Sequence, residues 1–243
     1  MPLIPQTFPI PQETAIASYN FTDIAEGTGV VVFFGAAHDE AGTTKYFLTQ
    51  NQIFSRYTSL SATTNNTALV QILDEDFDVT FNLPQRMKGK VRIAFSMGYN
   101  GPSNQEKQVR VTVKLRKFDG STETELGSAV TEIFGGTGTD GKSANNALSL
   151  TMNLEIDMSS TITHFKKGET LRLIVEGWYR ITSGSNTVHL LLGHDPKNRR
   201  YKAGERQEAF TNEIEFANEP QGGGTLTYQK TQMLFHVPFV LDI

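Results

Sequence analysis

The chain has 243 residues, a formal net charge of -4 at pH 7 and no cysteine. The lack of cysteine excludes a disulfide framework and a thiolate metal site, and the acidic balance gives no general attraction to nucleic acid. No apolar stretch approaches the roughly 20 residues of a membrane-spanning helix, and no basic segment with an apolar stretch after it predicts a signal peptide. We therefore expect a soluble protein without a membrane or direct nucleic-acid partner, compatible with a reducing cytoplasm.

The N-terminal segment is unusually rich in proline, with four of the nine prolines among the first eleven residues. Proline fixes φ and favours an extended conformation in the residue before it. The sequence therefore predicts an extended arm over residues 1–12, followed by a single β domain over residues 13–243. Apolar side chains are unusual in a solvated tail, so we expect the arm to lie on its own sheet or on a neighbouring subunit. The predicted contact residues of the arm are Leu3, Ile4, Phe8 and Ile10.

Alternation of apolar and polar residues dominates the rest of the chain and predicts strands with one buried face. In chain order the alternating runs cover residues 30–34, 77–83, 91–95, 109–115, 148–158, 171–175, 188–192 and 214–216. The run at 109–115 is followed by Asp119-Gly120, a hairpin turn signal. The stretch 44–55 fits either a short helix or an irregular strand.

The predicted strands indicate the fold class. No sustained apolar stripe at helical spacing lies between them, so alternating βαβ units are not expected. About ten strands joined by polar loops predict an all-β, antiparallel two-sheet sandwich of jelly-roll-like type. A closed barrel fits the same pattern. The glycine-rich segments 135–142 and 220–224 are predicted loops within one domain, because strand patterning resumes on both sides of each.

One glycine-rich segment matches a phosphate-binding motif. Gly136 to Ser143 fits the spacing G-x-x-x-x-G-K-S. In nucleotide-binding proteins this motif opens a helix whose N-terminus holds the phosphate, whereas here an alternating run begins near Leu148. We therefore expect a flexible loop and no nucleotide cofactor.

An acidic segment resembles the beginning of a calcium-binding loop. It runs from Asp74 to Asp78, but the sixth and twelfth positions hold Val79 and Gln85 instead of glycine and glutamate. We expect a solvated acidic turn before a strand. No metal ligand is assigned to it.

Two His-Asp pairs offer a second route to a metal site. His38-Asp39 and His194-Asp195 could bind a divalent metal only if their loops met in the fold. Asp195 precedes Pro196, which favours a turn-initiating role instead. No metal site is predicted from these pairs.

Catalysis finds no support in the sequence. No serine lies in a nucleophile-elbow context, and no carboxylate pair is marked as in a glycosidase. No catalytic residue is predicted, and we expect a protein that is not an enzyme.

Two basic clusters, 86–92 and 197–206, are expected to be solvated strand edges. An acidic protein surface is the alternative partner for them. The single tryptophan, Trp178, has the opposite phase from Leu173 and Val175. It is therefore expected on the other face of the sheet or in an assembly contact.

Three stretches resemble tailed-bacteriophage virion proteins: Phe165 to Trp178 (FKKGETLRLIVEGW), Leu192 to Pro196 (LGHDP) and Phe235 to Ile243 (FHVPFVLDI). The resemblance implies a cysteine-free β-sandwich that decorates or cements a capsid, or that builds part of a tail. It also implies no cofactor and no catalytic residues. The implied location is the virion, assembled in the cytoplasm of the host bacterium.

The leading hypothesis is thus a capsid decoration or cement protein that binds the major capsid lattice and stabilises the head. Its partners would be the major capsid protein or other virion proteins, and its own copies in a trimer or dimer. The alternative is a phage tail, receptor-binding or glycan-binding module, which an exposed Trp178 beside tyrosines would favour. A third hypothesis, a β-sandwich hydrolase, needs two carboxylates at the separation found in glycosidases.

Overall fold

The structure, a computed structural model, describes most of the β body. The described residues are 17–18, 28–40, 43–53, 58–63, 68–100, 107–134, 147–181, 187–194, 196, 214–216, 227–229 and 232–240. The predicted arm lies outside these ranges, so the division into arm and domain stays a prediction.

Strands make up all the regular structure of the described residues, none of which is helical. This confirms the prediction of an all-β protein. No membrane-length apolar helix occurs among these residues. The strands of the described part are β1 (Ala17–Ser18), β2 (Thr28–Glu40), β3 (Thr43–Thr49), β4 (Thr58–Thr63), β5 (Val70–Thr80), β6 (Gln85–Met87), β7 (Lys90–Asn100), β8 (Lys107–Phe118), β9 (Glu123–Val130), β10 (Ala147–Asp157), β11 (Thr163–Phe165), β12 (Thr170–Ile181), β13 (Thr187–Leu192), β14 (Ile214–Phe216), β15 (Thr227–Gln229) and β16 (Leu234–Val240).

Fourteen of these described strands form one hydrogen-bonded sheet, and β14 and β15 form a separate ribbon. The main path of the sheet runs β4-β13-β7-β16-β2-β3-β5-β12-β8-β9. Strand β10 pairs with β7, β1 pairs with β2, and the β6–β11 ribbon joins at β16. The pairings are antiparallel except for β3 and β5, which are parallel and share one bridge, Phe47 to Asp78.

The sheet curls back on itself. Strand β9 ends the path and β10 lies beside β7 near the other end, yet the two strands meet at Gly127 and Ile156. A Cβ atom at Gly127 would lie only 2.6 Å from Ile156 Cγ2. The described part is therefore a strongly curled, mixed sheet that resembles a half-barrel.

The predicted two-sheet jelly-roll sandwich is not clearly present. Strand β16 pairs with β2 on one side and with β7 on the other, and the Phe47–Asp78 bridge continues the sheet into β5. Alternation predicts only that each strand has one buried face. A curled sheet meets that requirement as well as two stacked sheets do, so the sequence pattern could not separate them.

The concave face of the sheet holds the hydrophobic core. All four apolar residues of the predicted run on β8, from Val109 to Leu115, are buried. Phe81, Phe95 and Phe235, which the sequence places in the core, are buried as well. Burial of such a side chain contributes about 1.5–3 kcal/mol. Only one bridge joins β3 to β5, so the packing of core side chains holds the sheet together between these two strands. We call the junction of β3 and β5 the seam.

Candidate functional site

The phosphate-loop match is not followed by a helix. Residues 135–146 lie outside the described ranges, but β10 begins directly after them at Ala147. A strand presents no helix N-terminus to a phosphate. The strand predicted after this segment is thus confirmed, whereas the expected flexible loop lies outside the described residues.

The acidic segment is part of a strand and not the predicted turn. Asp74, Asp76 and Asp78 alternate with the buried Phe77 on β5 and therefore lie on the outer, convex face. Asp78 accepts two hydrogen bonds from Arg172, both 2.7 Å long. The described residues contain no group of three side chains suited to a metal ion.

Arg172 is the centre of an outer-face ion network that crosses β5, β12, β8 and β9. Its guanidinium also contacts Asp76 at 3.0 Å and pairs with Glu123. Glu123 in turn accepts a 2.7 Å hydrogen bond from Arg116. Hydrogen bonding to Arg116 lowers the pKa of Glu123, whereas burial raises the pKa of Asp76 despite Arg172. The network thus joins three carboxylates and two arginines across the four strands.

Trp178 lies on the same outer face, as its phase predicts. It is half-buried, and its Nε1 donates a hydrogen bond of 3.2 Å to Glu176. The Arg110 guanidinium lies 5.1 Å from the centre of the ring, and Glu176 also pairs with Lys114. Arg110 therefore covers one face of the ring, and Glu176 binds the indole N–H. A tryptophan that stacks on a sugar needs an exposed ring face, so this arrangement does not favour sugar binding at Trp178. The predicted role of Trp178 as an assembly contact stays a prediction.

The two histidines of the His-Asp pairs lie on opposite faces of the β2–β3 pair. His38 is exposed on the outer face, with its ring 5.3 Å from that of Phe47. His194 is fully buried on the inner face, 5.6 Å from Tyr46. Tyr46 and Phe47 are adjacent on β3 and so face opposite ways. The histidines cannot share a metal ion; Asp195 and the Asp39 side chain lie outside what the structure describes.

His194 belongs instead to a buried cluster at the seam, together with Glu75, Tyr46 and Phe77. The rings of Tyr46 and Phe77 lie 5.2 Å apart, and that of His194 lies 5.6 Å from Phe77. The backbone before His194 is fixed by a 2.8 Å hydrogen bond from the Gly193 N–H to the carbonyl of Ser96. The cluster lies where β3 and β5 are joined by a single bridge.

Two members of the seam cluster have strongly shifted acidities. Burial raises the pKa of Glu75 to about 7, and the hydrogen bond that Tyr46 donates to it offsets this only in part. Burial lowers the pKa of His194 to about 4, so this ring is neutral at pH 7. Sequence reasoning missed the cluster because Glu75 was counted with the acidic segment. Its place in the apolar phase, between Leu73 and Phe77, was the available signal.

A groove lies on the outer face where β10, β7 and β16 run side by side. Its volume is about 360 Å³, and its lining includes Arg92, Ala94, Asn153, Glu155 and His236. Register explains this set, because Asn153 and Glu155 of β10 face Ala94 and Arg92 of β7, and His236 of β16 also faces Arg92.

The basic cluster at 86–92 therefore differs from the expected strand edge. Strand β7 lies inside the sheet, between β10 and β16. Lys90 and Arg92 both pair with Glu155, at 2.6 and 3.1 Å. The second basic cluster, 197–206, lies outside the described ranges.

Comparison with known proteins gives only weak similarities. No family model and no curated protein matches the chain. Among solved structures, the chain is similar to a CocE/NonD family hydrolase from Staphylococcus aureus, with 12% identity and a TM-score of 0.44 over 86% of this chain. It is similar over the same share to an aminopeptidase from a marine sediment Thaumarchaeota archaeon, with 8% identity and a TM-score of 0.41. Infectious bursal disease virus, Gx strain, matches over 88% of the chain with 11% identity and a TM-score of 0.34.

The chain spans 36% of the hydrolase and aminopeptidase chains and 48% of the viral chain. Similarities this low assign neither a fold family nor an activity. Hydrolase and virus structures both occur among the matches, so they do not separate an enzyme from a virion protein. The expectation of a non-enzymatic protein stays a prediction.

Proposed function

We propose that this chain is a non-enzymatic structural subunit of a tailed-phage virion, acting as a capsid decoration or cement protein. Its partner is the major capsid lattice, and its location is the virion. The resemblance of three sequence stretches to tailed-phage virion proteins supports the class. One structural observation carries the binding role, namely a strand edge with exposed apolar side chains at the end of β9.

Strand β9 has one free edge in the described part of the sheet. Among the described strands it ends the pairing order, and its backbone pairs only with β8. Val130, its last residue, is 53% exposed, and Ile133 just beyond it is 42% exposed. A strand edge carries unpaired N–H and C=O groups that accept a further strand from another protein.

Charged side chains protect only the first half of the β9 edge from the addition of another strand. Glu123 lies in the ion network and Glu125 is exposed, and such charges discourage strand addition. From Ser128 to Val130 the strand carries no charged side chain, and the next charged residue is the exposed Glu132, between Val130 and Ile133. We place an extended segment of the capsid lattice along this second half, with Val130 and Ile133 buried beneath it.

The test uses virions of the phage whose genome encodes this chain. Mass spectrometry of purified particles is expected to find the chain at a fixed ratio to the major capsid protein. Val130→Asp combined with Ile133→Asp is expected to weaken rebinding to stripped particles about tenfold or more, because two buried apolar contacts are lost.

Leu83→Asp is the matched control. Leu83 is 67% exposed and lies just after β5. The last residue of β5, Thr80, pairs with Thr170, six residues along β12 from Glu176, which lies at the level of Val130. Its substitution is expected to leave binding unchanged. Absence of the chain from virions, or equal binding by the double variant, would contradict the proposal.

The arm provides a separate test. Deleting residues 1–12 removes Leu3, Ile4, Phe8 and Ile10 and is expected to weaken attachment while the β circular dichroism spectrum is retained. Undiminished particle binding by the truncated protein would show that the arm makes no contact with the lattice.

A further inference from the structure

The groove on β10, β7 and β16 presents polar groups that no described residue engages. Arg92 uses only its Nε, in the hydrogen bond to Glu155, and its side chain is 69% exposed. Among the described residues its two terminal nitrogens, Nη1 and Nη2, therefore have no partner and can donate to a ligand. We call these two nitrogens the Arg92 fork. Within the described part of the chain, Asn153 and His236 also make no side-chain hydrogen bond while they line the same depression.

The Arg92 fork is held in place before any ligand arrives. Glu155 accepts from Arg92 on one oxygen and from Lys90 on the other. This arrangement restricts the guanidinium and so reduces the entropy that a ligand must remove on binding. A guanidinium fork of this kind matches the two oxygens of a carboxylate.

The groove lining carries one positive and one negative charge, on Arg92 and Glu155. Lys90 lies beside the groove, and Asp157 faces it across the β7–β10 pair. Burial and the neighbouring Arg92 lower the pKa of His236, so its ring is neutral at pH 7 and offers one donor and one acceptor. These charges cancel, so the preference for a carboxylate rests on the terminal nitrogens of Arg92, with uncharged hydrogen-bonding groups from Asn153 and His236 beside them.

The size of the groove sets the scale of the ligand. Its volume of about 360 Å³ lies at the lower end of small-molecule sites. Ala94 is the smallest side chain of the lining. We propose that this groove binds an acidic monosaccharide unit of the uronic-acid or sialic-acid kind, with the sugar carboxylate on Arg92 and the hydroxyl groups on Asn153 and His236. This site is independent of the capsid role and uses a different surface from β9.

The experiment is calorimetric and NMR titration of the full chain with glucuronate and N-acetylneuraminate. Glucose is the matched ligand control, because it replaces the carboxylate of glucuronate by an alcohol. Glucuronate is expected to bind at least about tenfold more tightly than glucose, the difference that one charge-assisted pair produces. Backbone signals of Arg92, Asn153 and His236 are expected to shift.

Variants locate the site. Arg92→Gln is expected to remove the preference for glucuronate over glucose, and Ala94→Leu to abolish binding by filling the groove. Lys88→Gln removes an exposed cation of the same basic cluster outside the groove and is expected to retain full affinity. Urea denaturation of each variant confirms that it is folded.

Several results would overturn the assignment. No binding of either acidic sugar at about 10 mM would exclude a site of even weak affinity. Equal affinity for glucose, or unchanged binding by R92Q, would exclude the carboxylate contact. Binding of acetate or of a glutamate-rich peptide as tightly as glucuronate would show a general anion site and not a sugar site.

Discussion

Acidification below pH 6.5 should destabilise the fold through His194. The folded protein keeps this ring neutral down to about pH 4, whereas the unfolded chain takes up a proton near pH 6.5. Between these values the unfolded state binds more protons, so the free energy of unfolding falls as the pH falls. The full difference between the two pKa values corresponds to about 3–4 kcal/mol, of which about 2–3 kcal/mol is lost by pH 4.5.

Glu75 acts in the opposite direction. Its folded pKa of about 7 lies above the unfolded value of 4.5, so the folded state binds the extra proton. Stability from this group therefore rises as the pH falls from 7 to 4.5. Glu75 is only half-buried, and solvent screening reduces its effect to about 1–2 kcal/mol. The pH dependence of the wild-type free energy of unfolding is the sum of these two opposing effects, and the effect of His194 is the larger.

Urea denaturation at intervals from pH 8 to 4.5 tests this reasoning. His194→Gln should be less stable at every pH but should lose the decline between pH 6.5 and 4.5. Glu75→Gln should show a steeper decline than wild type. His38→Gln is the matched control, because that histidine is exposed on the opposite face of the same strands. If H194Q and wild type lost the same free energy over this interval, buried neutral His194 would not be the cause.

Three further predictions concern stability at pH 7, each measured by urea denaturation. Arg172→Met should cost about 2–4 kcal/mol, because it leaves Asp78 and its acidic neighbours on the convex face without their cation. Gly127→Ala should cost about 1–2 kcal/mol, since its Cβ would lie 2.6 Å from Ile156 Cγ2, and adding Ile156→Leu, which has no Cγ2 branch, should restore part of that loss. Gly120→Ala has nothing within 4 Å and a φ of +100°, so backbone strain alone should cost about 1–2 kcal/mol.

The strands themselves were predictable from the sequence because each buries one face. The run at 109–115 falls within β8, the run at 148–158 matches β10 within a residue, and the run at 171–175 falls within β12. The run at 77–83 ends early, since β5 stops at Thr80 and Leu83 is exposed. The stretch 44–55, which fitted a helix or a strand, begins with β3 (Thr43–Thr49).

Strand neighbours were not predictable, because alternation carries no information about which edges meet. The groove depends on Arg92, Asn153 and His236, which come from three strands far apart in sequence. The seam cluster likewise needs β3, β5 and the segment after β13 to meet. Only Glu75 could have been recognised from the local sequence, because it is a carboxylate at a position where the alternation on β5 predicts an apolar side chain.

The position of β16 has a consequence for biosynthesis. This strand lies between β2 and β7, near the middle of the path, although its residues 234–240 are the last of the described chain. A nascent chain on the ribosome therefore lacks the strand that joins its earlier strands until residue 240 has been translated and has left the exit tunnel. Until then the edges of β2 and β7 are open to wrong partners, and the rate at which the segment 234–240 is translated becomes a determinant of the yield of native protein.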